Sequence, residues 1–298
     1  MINIKNKKIL FVSLSNIGDA IMTTPLMEFI HQENQNVLFD IVCDKKSIDV
    51  FEHCPYIDKI FLRNKNSGFF GTLELLKKLR KTNYFLAVDL RTDFLLFFIK
   101  ANKKFFKKKN DHIHSVEKHF ASFNKNFNLI PQTKIWLPPA LDKNLHQIIK
   151  SQSGKYLALA LGANSKHKIW PTINYLNLCE KLKGIFPFIA LVGDKSDLSN
   201  ANFFEQRSTI KTINFCGKLN LHETASVIKN AKYFLGNDSG LGHIASAVQT
   251  PSFTIFGKED PHRYRPWGNL SKWYKHSSGD ITLIDPKEVF QKIINIMT

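Results

Sequence analysis

The residues whose chemistry stands out occupy three polar turns, each where a buried strand hands over to a helix. The longest such stretch runs from Phe234 to Pro261. Tyr233-Phe234-Leu235 reads as a short apolar strand, and Gly236-Asn237-Asp238-Ser239-Gly240 as a turn of helix-capping types. Ile244, Ala245, Ala247 and Val248 then form the inner stripe of a helix, and Thr250-Pro251 breaks it before a second buried strand. In a parallel α/β sheet this places free backbone N–H groups at the C-terminal end of a strand, where an anion is favoured. The second turn is Ser15-Asn16-Ile17-Gly18-Asp19. A carboxylate at the mouth of a sheet can take a proton from a reacting hydroxyl; Asp19 could equally just cap the helix that follows. The third runs from Gly162 to Pro171 and carries Lys168. Its ammonium could neutralise developing negative charge without a metal, or it could be one more solvated surface lysine.

The elements that must hold these turns alternate along the chain. In the first half, strands are expected at Lys8–Leu14, Val37–Cys43, Lys59–Leu62 and Tyr84–Leu90. Helices are expected after Asp19, at Ser47–Glu52, at Gly71–Lys81 with Leu73, Leu76 and Leu79 inside, and at Ser115–Phe127. The strands are continuous apolar runs rather than alternating ones, as in parallel sheets covered on both faces. The second half restarts the pattern. Strands are expected at Tyr156–Leu161, Phe186–Val192, Thr212–Phe215 and the two of the opening stretch, and helices at Thr172–Lys183, after Gly193, at Leu221–Asn230 and at Pro286–Met297. Pro131, Pro138, Pro139 and Gly154 mark a linker, so the chain divides into residues 1–145 and 146–298, two α/β domains.

Composition narrows the partners. A net charge of +17 calls for an anionic partner, whether nucleic acid, lipid headgroups or a phosphorylated or carboxylated substrate, unless genome-wide bias toward Lys, Asn, Ile and Phe explains it. Lys100, Lys103, Lys104, Lys107, Lys108 and Lys109, with Phe105 and Phe106 between them, concentrate part of it. That run reads as a solvated charged loop, as a membrane-surface or acidic-acceptor patch, or as a nucleic-acid contact. Cys43, Cys54, Cys179 and Cys216 are widely spaced, which fits reduced thiols in a cytosolic chain and gives no zinc spacing. No His/Asp/Cys group has metal-ligand spacing, and no G-x-G-x-x-G follows the strands at Lys8–Leu14 or Tyr156–Leu161, which disfavours a dehydrogenase. Tyr84–Ile99 comes nearest to a spanning helix but is broken by Asp89, Arg91 and Asp93.

Four segments in order resemble glycosyltransferase family 9, the ADP-heptose:lipopolysaccharide heptosyltransferases. These are Ile9–Pro25 with its Gly18-Asp19 and Thr23-Thr24-Pro25, Gly162-Ala163 through Lys168-Ile169-Trp170-Pro171, Gly193 followed by Asp197, and Gly236–Pro261. Ser13 and Asn16 depart from the family's usual basic residue and second serine. The resemblance implies a GT-B architecture, two Rossmann-like domains facing across a cleft, with a terminal helix that can pack back on the N-terminal domain. It implies Asp19 as the base and Lys168 as the contact to the nucleotide phosphates. Asn164, Ser165, Ser239 and Gly240 would add hydrogen bonds there. Asp238 would hold donor hydroxyls or orient the lysine, and His243 is either a ligand contact or a satisfied buried histidine. Asp197, with Asp194 as rival, would take the ribose hydroxyls, and Leu219 would line the adenine pocket.

The expected activity is therefore inverting, metal-independent transfer of a heptose or related sugar from an ADP-sugar to a lipopolysaccharide core. No cofactor is expected beyond the donor itself. The implied partners are the nucleotide-sugar donor, an anionic glycolipid acceptor and the cytoplasmic membrane surface, with no nucleic acid and a peripheral cytoplasmic location. Two alternatives stay open: another nucleotide sugar on the same scaffold, or a non-catalytic basic protein binding RNA or anionic lipid.

Overall fold

The computed structural model describes residues 7–34, 36–63, 67–92, 94–108, 112–121, 123, 129–139, 145, 147–148 and 156–297. The chain forms two compact units, Met1–Trp136 and Leu137–Thr298. The division thus falls ahead of the 145/146 boundary read from the sequence, and residues 140–144 beside that boundary lie outside those described.

In the first unit the apolar run of β1 (Lys7–Val12) becomes a central strand because both its faces can be covered. The sheet adds β2 (Val37–Cys43), β3 (Ile57–Leu62), β4 (Tyr84–Asp89) and β5 (Ala101–Phe106), in the order β3-β2-β1-β4-β5. Every pairing is parallel. Helices α1 (Ile17–Glu33), α2 (Gly68–Leu79) and α3 (Ser115–Ala121) accompany it. The strand order reverses between β1 and β4, where doubly wound sheets open a ligand crevice.

The Thr23-Thr24-Pro25 step shows how α1 tolerates an interior proline. Pro25 cannot donate to the Ile21 carbonyl, and the Thr24 hydroxyl does so instead at 2.7 Å. The Thr23 hydroxyl bonds the Ala20 carbonyl at 2.7 Å and lies 3.0 Å from that of buried Ser13, tying the helix start to the end of β1.

Three expectations for this unit change. Ser47–Glu52 forms only a single tight turn, Ile48–Val50. Lys100–Lys109 is not a loop: most of it is β5, an edge strand on which lysines discourage pairing with another sheet. In α2 Leu76 and Leu79 face the core as expected and Leu75 joins them, whereas Leu73 is turned to solvent. The described part of α3 ends at Ala121, and residues 122 and 124–127 of the expected helix lie outside the described set.

One buried group sets a pH dependence. His119 on α3 is held at about 3 by burial, helped by the charges of Lys118 and His114. Its unfolded value is near 6.5, so between those limits only the unfolded chain takes up the proton, and stability falls as pH drops. His119→Leu is expected to remove a slope of roughly 1.4 kcal/mol per pH unit below pH ~6 in urea unfolding curves. An unchanged slope would assign the acid sensitivity elsewhere.

The second unit repeats the plan with six parallel strands: β6 (Tyr156–Ala160), β7 (Phe188–Leu191), β8 (Lys211–Asn214), β9 (Tyr233–Asn237), β10 (Ser252–Phe256) and β11 (Ser271–Lys275). Their order is β11-β10-β9-β6-β7-β8, with the reversal between β6 and β9. The helices are α4 (Thr172–Leu182), α5 (Leu198–Arg207), α6 (Leu221–Lys229), α7 (Gly240–Ala247), the single turn α8 (Pro261–Tyr264) and α9 (Pro286–Met297). Strand β11 carries no signal in the residues alone, because Ser-Lys-Trp-Tyr-Lys is a half-buried edge sequence without an apolar run. Helix α9 packs within this unit: Val289 and Ile293 join a cluster with Trp170, Tyr175 and Leu178 of the α4 region. All four cysteines are buried free thiols.

Candidate active site

The site grows from Asn237, which the sequence places in a turn and the structure places as the buried last residue of β9. Its Oδ1 accepts from the Trp170 backbone N–H and the Tyr175 hydroxyl, both at 2.9 Å. Its Nδ2 donates to the Leu161 carbonyl at 2.9 Å. Burial raises the Tyr175 hydroxyl well above its ordinary range, so it remains a donor. One side chain therefore pins the loop after β6 to the neighbouring strand and to α4. The Trp170 ring packs edge-on against Tyr175, and its indole N–H donates to the Ile284 carbonyl at 3.1 Å. Asn237→Ala would strand three buried polar groups, a cost of about 3 kcal/mol, read as a lower urea midpoint with little change in the slope. An unchanged midpoint would remove Asn237 from this role.

The pinned loop carries Lys168 on the turn Lys166–Lys168. Its Nζ lies 2.7 Å from Asp238 Oδ2, directly after β9, and 3.5 Å from Glu259 Oε1, after β10. Glu259 also faces His167 Nε2 at 3.8 Å. A Cβ on Gly257 would come within 2.6 Å of the His167 carbonyl oxygen, so glycine is what lets the β10 end approach this loop. The lysine side chain is 22% exposed and that of Asp238 8%. Burial pushes the Asp238 carboxyl up, against the pull of Lys168. Burial works to lower the Lys168 value, but Asp238 and Glu259 together hold it above the ordinary lysine range, so the ammonium stays charged. The pair thus places a fixed, partly desolvated cation across the strand reversal.

Ser239 and Gly240 open α7 at the same edge. Ser239 is the N-cap with extended backbone, and its hydroxyl is buried with no hydrogen-bond partner among the described residues. The first N–H groups of a helix have no partner within it, so this turn can present donors to an anion. His243 lies buried one turn further in. Ser165 is part-buried and Asn164 exposed on the Lys168 loop.

Asp197 sits in the loop after β7, and its carboxylate rests over the backbone at the end of β6: a Cβ on Gly162 would fall 1.7 Å from Asp197 Oδ1. It accepts from the Asp194 N–H at 3.1 Å, and burial raises its pKa. Asp194 instead caps the turn, its carboxylate accepting from the Ser196 N–H at 2.7 Å and hydroxyl at 2.5 Å. Leu219 is part-buried after Gly217, beyond the end of β8. The structure therefore gathers Lys168, Asp238, Ser239 and Gly240 at one reversal point, with Asp197 beside the adjoining strand.

In the first unit the N-cap of α1 is Asn16, not Asp19, and it makes no side-chain cap bond. Asp19 is the third residue of the helix, part-buried, with Oδ2 accepting from Asn16 Nδ2 at 3.0 Å. It stands just after β1, at this unit's strand reversal. After β4, the Arg91 guanidinium pairs with Asp44 through two bonds of 2.7 and 3.0 Å. The loop holding it is drawn in by buried Asp89, which accepts from the Arg91 and Thr92 N–H groups. Among the lysines, Lys100, Lys103, Lys104 and Lys108 are exposed, Lys107 donates to the Arg91 carbonyl at 3.0 Å, and Lys109 lies outside the described residues.

Two doubly wound units, each with its polar residues at the strand reversal, define a GT-B glycosyltransferase. The family model for glycosyltransferase family 9 (heptosyltransferase) matches residues 89–280, and the chain belongs to that family. Lys168, Asp197 and Asp238 lie inside the matched range, whereas Asp19 precedes it. The chain is similar to lipopolysaccharide heptosyltransferase 1 of Campylobacter coli, 24% identical, with 89% of this chain and 88% of the relative covered. Among solved structures it is similar to a family 9 glycosyl transferase from Veillonella parvula, with a TM-score of 0.84 at 16% identity over 99% of this chain and 98% of that one. It is also similar to an Escherichia coli heptosyltransferase solved with ADP, with a TM-score of 0.76 at 19% identity over 97% and 99% of the two chains.

Proposed function

We propose that this enzyme transfers a heptose from an ADP-activated donor to a lipopolysaccharide core, with inversion at the anomeric carbon. The observation that carries the reading is the Lys168–Asp238 pair at 2.7 Å across the strand reversal of the second unit, beside the α7 N-terminus. The ADP bound in the similar Escherichia coli heptosyltransferase and the lipopolysaccharide named for the Campylobacter coli relative support it.

In this reading Asp19 takes the proton of an acceptor hydroxyl as its oxygen bonds to the anomeric carbon. The bond from that carbon to the diphosphate oxygen breaks on the opposite face, and ADP leaves. Lys168 and the N–H groups at Ser239-Gly240 neutralise the charge that builds on the diphosphate. Asn164 and Ser165 would add donors, Asp197 would hold the ribose hydroxyls and Leu219 would border the adenine. Asp238 would keep Lys168 aimed. The acceptor is assigned to the first unit. No helix among the described residues is long and apolar enough to cross a membrane, so a glycolipid would be met from a bilayer surface.

The test is a transfer assay with ADP-, GDP- and UDP-linked sugars, with the anomeric configuration of the product read by NMR. ADP-heptose consumption with an inverted linkage is expected. Faster consumption of a UDP- or GDP-sugar would refute the donor assignment, and a retained linkage would refute the single displacement.

A further inference from the structure

One face of the first sheet is covered by α2 and by the turn Leu95–Phe98. Leu75 and Leu79 of α2, Leu95 and Leu96 of the turn and Ile99 directly after it share one cluster with Leu10, Val12, Tyr84 and Ala87 of the strands. The remaining aromatic residues of these two segments turn outward. Phe69, Phe70, Phe94, Phe97 and Phe98 are each between 50% and 82% exposed, and Leu73 joins them. A single exposed phenylalanine is ordinary; five on two segments that pack on one core cluster concentrate apolar surface on that face of the unit.

Exposed cations lie on the same and adjoining elements. Exposed Lys77, Lys78, Arg80 and Lys81 continue along and beyond α2, and exposed Lys100, Lys103 and Lys104 lie on and before β5. The Phe97 ring is 5.1 Å from that of Phe106, so the aromatic turn adjoins the lysine strand directly. The acid in this part of α2 is Glu74, already paired with Lys78 at 2.7 Å. Apolar rings together with ammonium groups suit the boundary between anionic headgroups and acyl chains. A second copy of this chain would bring the same positive charge and repel it.

We propose that this face of the first unit docks on an anionic lipid bilayer, with the phenylalanine rings at the acyl boundary and the lysines on the lipid phosphates. Helix α2 begins after β3, at the sheet edge that also carries Asp19, so docking here sets that edge beside the membrane. The inference relies on the glycolipid-acceptor reading for its purpose, not for the binding itself.

The test is co-sedimentation of the full chain with vesicles of phosphatidylglycerol in phosphatidylcholine, and of phosphatidylcholine alone. Binding to the anionic vesicles is expected, weakening as salt rises. Phe69→Ser with Phe70→Ser, or Phe97→Ser with Phe98→Ser, is expected to lower the partition by at least about tenfold. Lys100→Glu with Lys104→Glu, the lysines just before and on β5 in register with Phe106, is expected to lower it on anionic vesicles alone. These side chains are exposed, so the thermal midpoint should not move, and the phenylalanine variants should retain turnover with a deacylated, water-soluble acceptor. Vesicle binding unchanged in both phenylalanine variants would overturn the proposal. So would light scattering that shows a dimer dissociated by them. Loss of transfer with vesicle binding intact would count against the proposed reaction and leave the docking face standing.

Discussion

Asp19→Asn is expected to lower kcat by about 10²- to 10⁴-fold while leaving the donor KM near its original value. The substitution is close in shape. An amide oxygen at position 19 can still accept from Asn16 Nδ2, as the carboxylate does at 3.0 Å, so the start of α1 should be preserved. What disappears is the ability to hold a proton from the acceptor. Steady-state rates with saturating ADP-heptose, alongside thermal unfolding, separate the two possible roles of this residue. A helix-start role would show as a lower midpoint with turnover retained. The base role shows as lost turnover at an unchanged midpoint. The cap position belongs to Asn16, which already weakens the first of these explanations.

Lys168→Ala is expected to lower kcat/KM by about 10²- to 10³-fold, the range seen when one stabiliser of a developing anion is removed. It also has a consequence for stability with a definite sign. Burial already raises the Asp238 carboxyl, and Lys168 is what pulls it down, through a hydrogen bond and its charge. Without the lysine, the folded-state value rises further above the unfolded one. The folded variant then holds its proton more tightly than the unfolded chain does. Its stability deficit is therefore full at neutral pH and shrinks as pH falls through the raised value. Thermal midpoints of wild type and variant across a pH series should converge toward acid; a constant gap would mean that Asp238 does not depend on Lys168.

Much of this organisation is legible in the chain because continuous apolar strands alternating with amphipathic helices leave few topologies. The strands around β1 and β6 are buried on both faces, and their runs announce it. Strand β11 escaped because an edge strand buries little and its composition carries no such signal. Lys100–Lys109 misled in the opposite sense: six lysines read as a loop, whereas an edge strand accepts them and is protected by them. The site shows the same limit. Lys168, Asp238 and the Ser239-Gly240 turn were visible as local residue types at strand ends. Asn237 was not, since its partners Leu161, Trp170 and Tyr175 lie 76, 67 and 62 positions away and only folding brings them to it. Glu259 is silent in the residues for the same reason: its meaning comes from Lys168 and His167, which reach it from another strand end.

In the proposed reaction a fixed ammonium at the second unit's strand reversal, that of Lys168, receives the donor diphosphate. Calorimetric titration of ADP into the wild-type chain and into Lys168→Ala tests this most directly. Binding to the wild type, weakened at least about tenfold in the variant, is the predicted result. Equal affinity for ADP in the two proteins would contradict it.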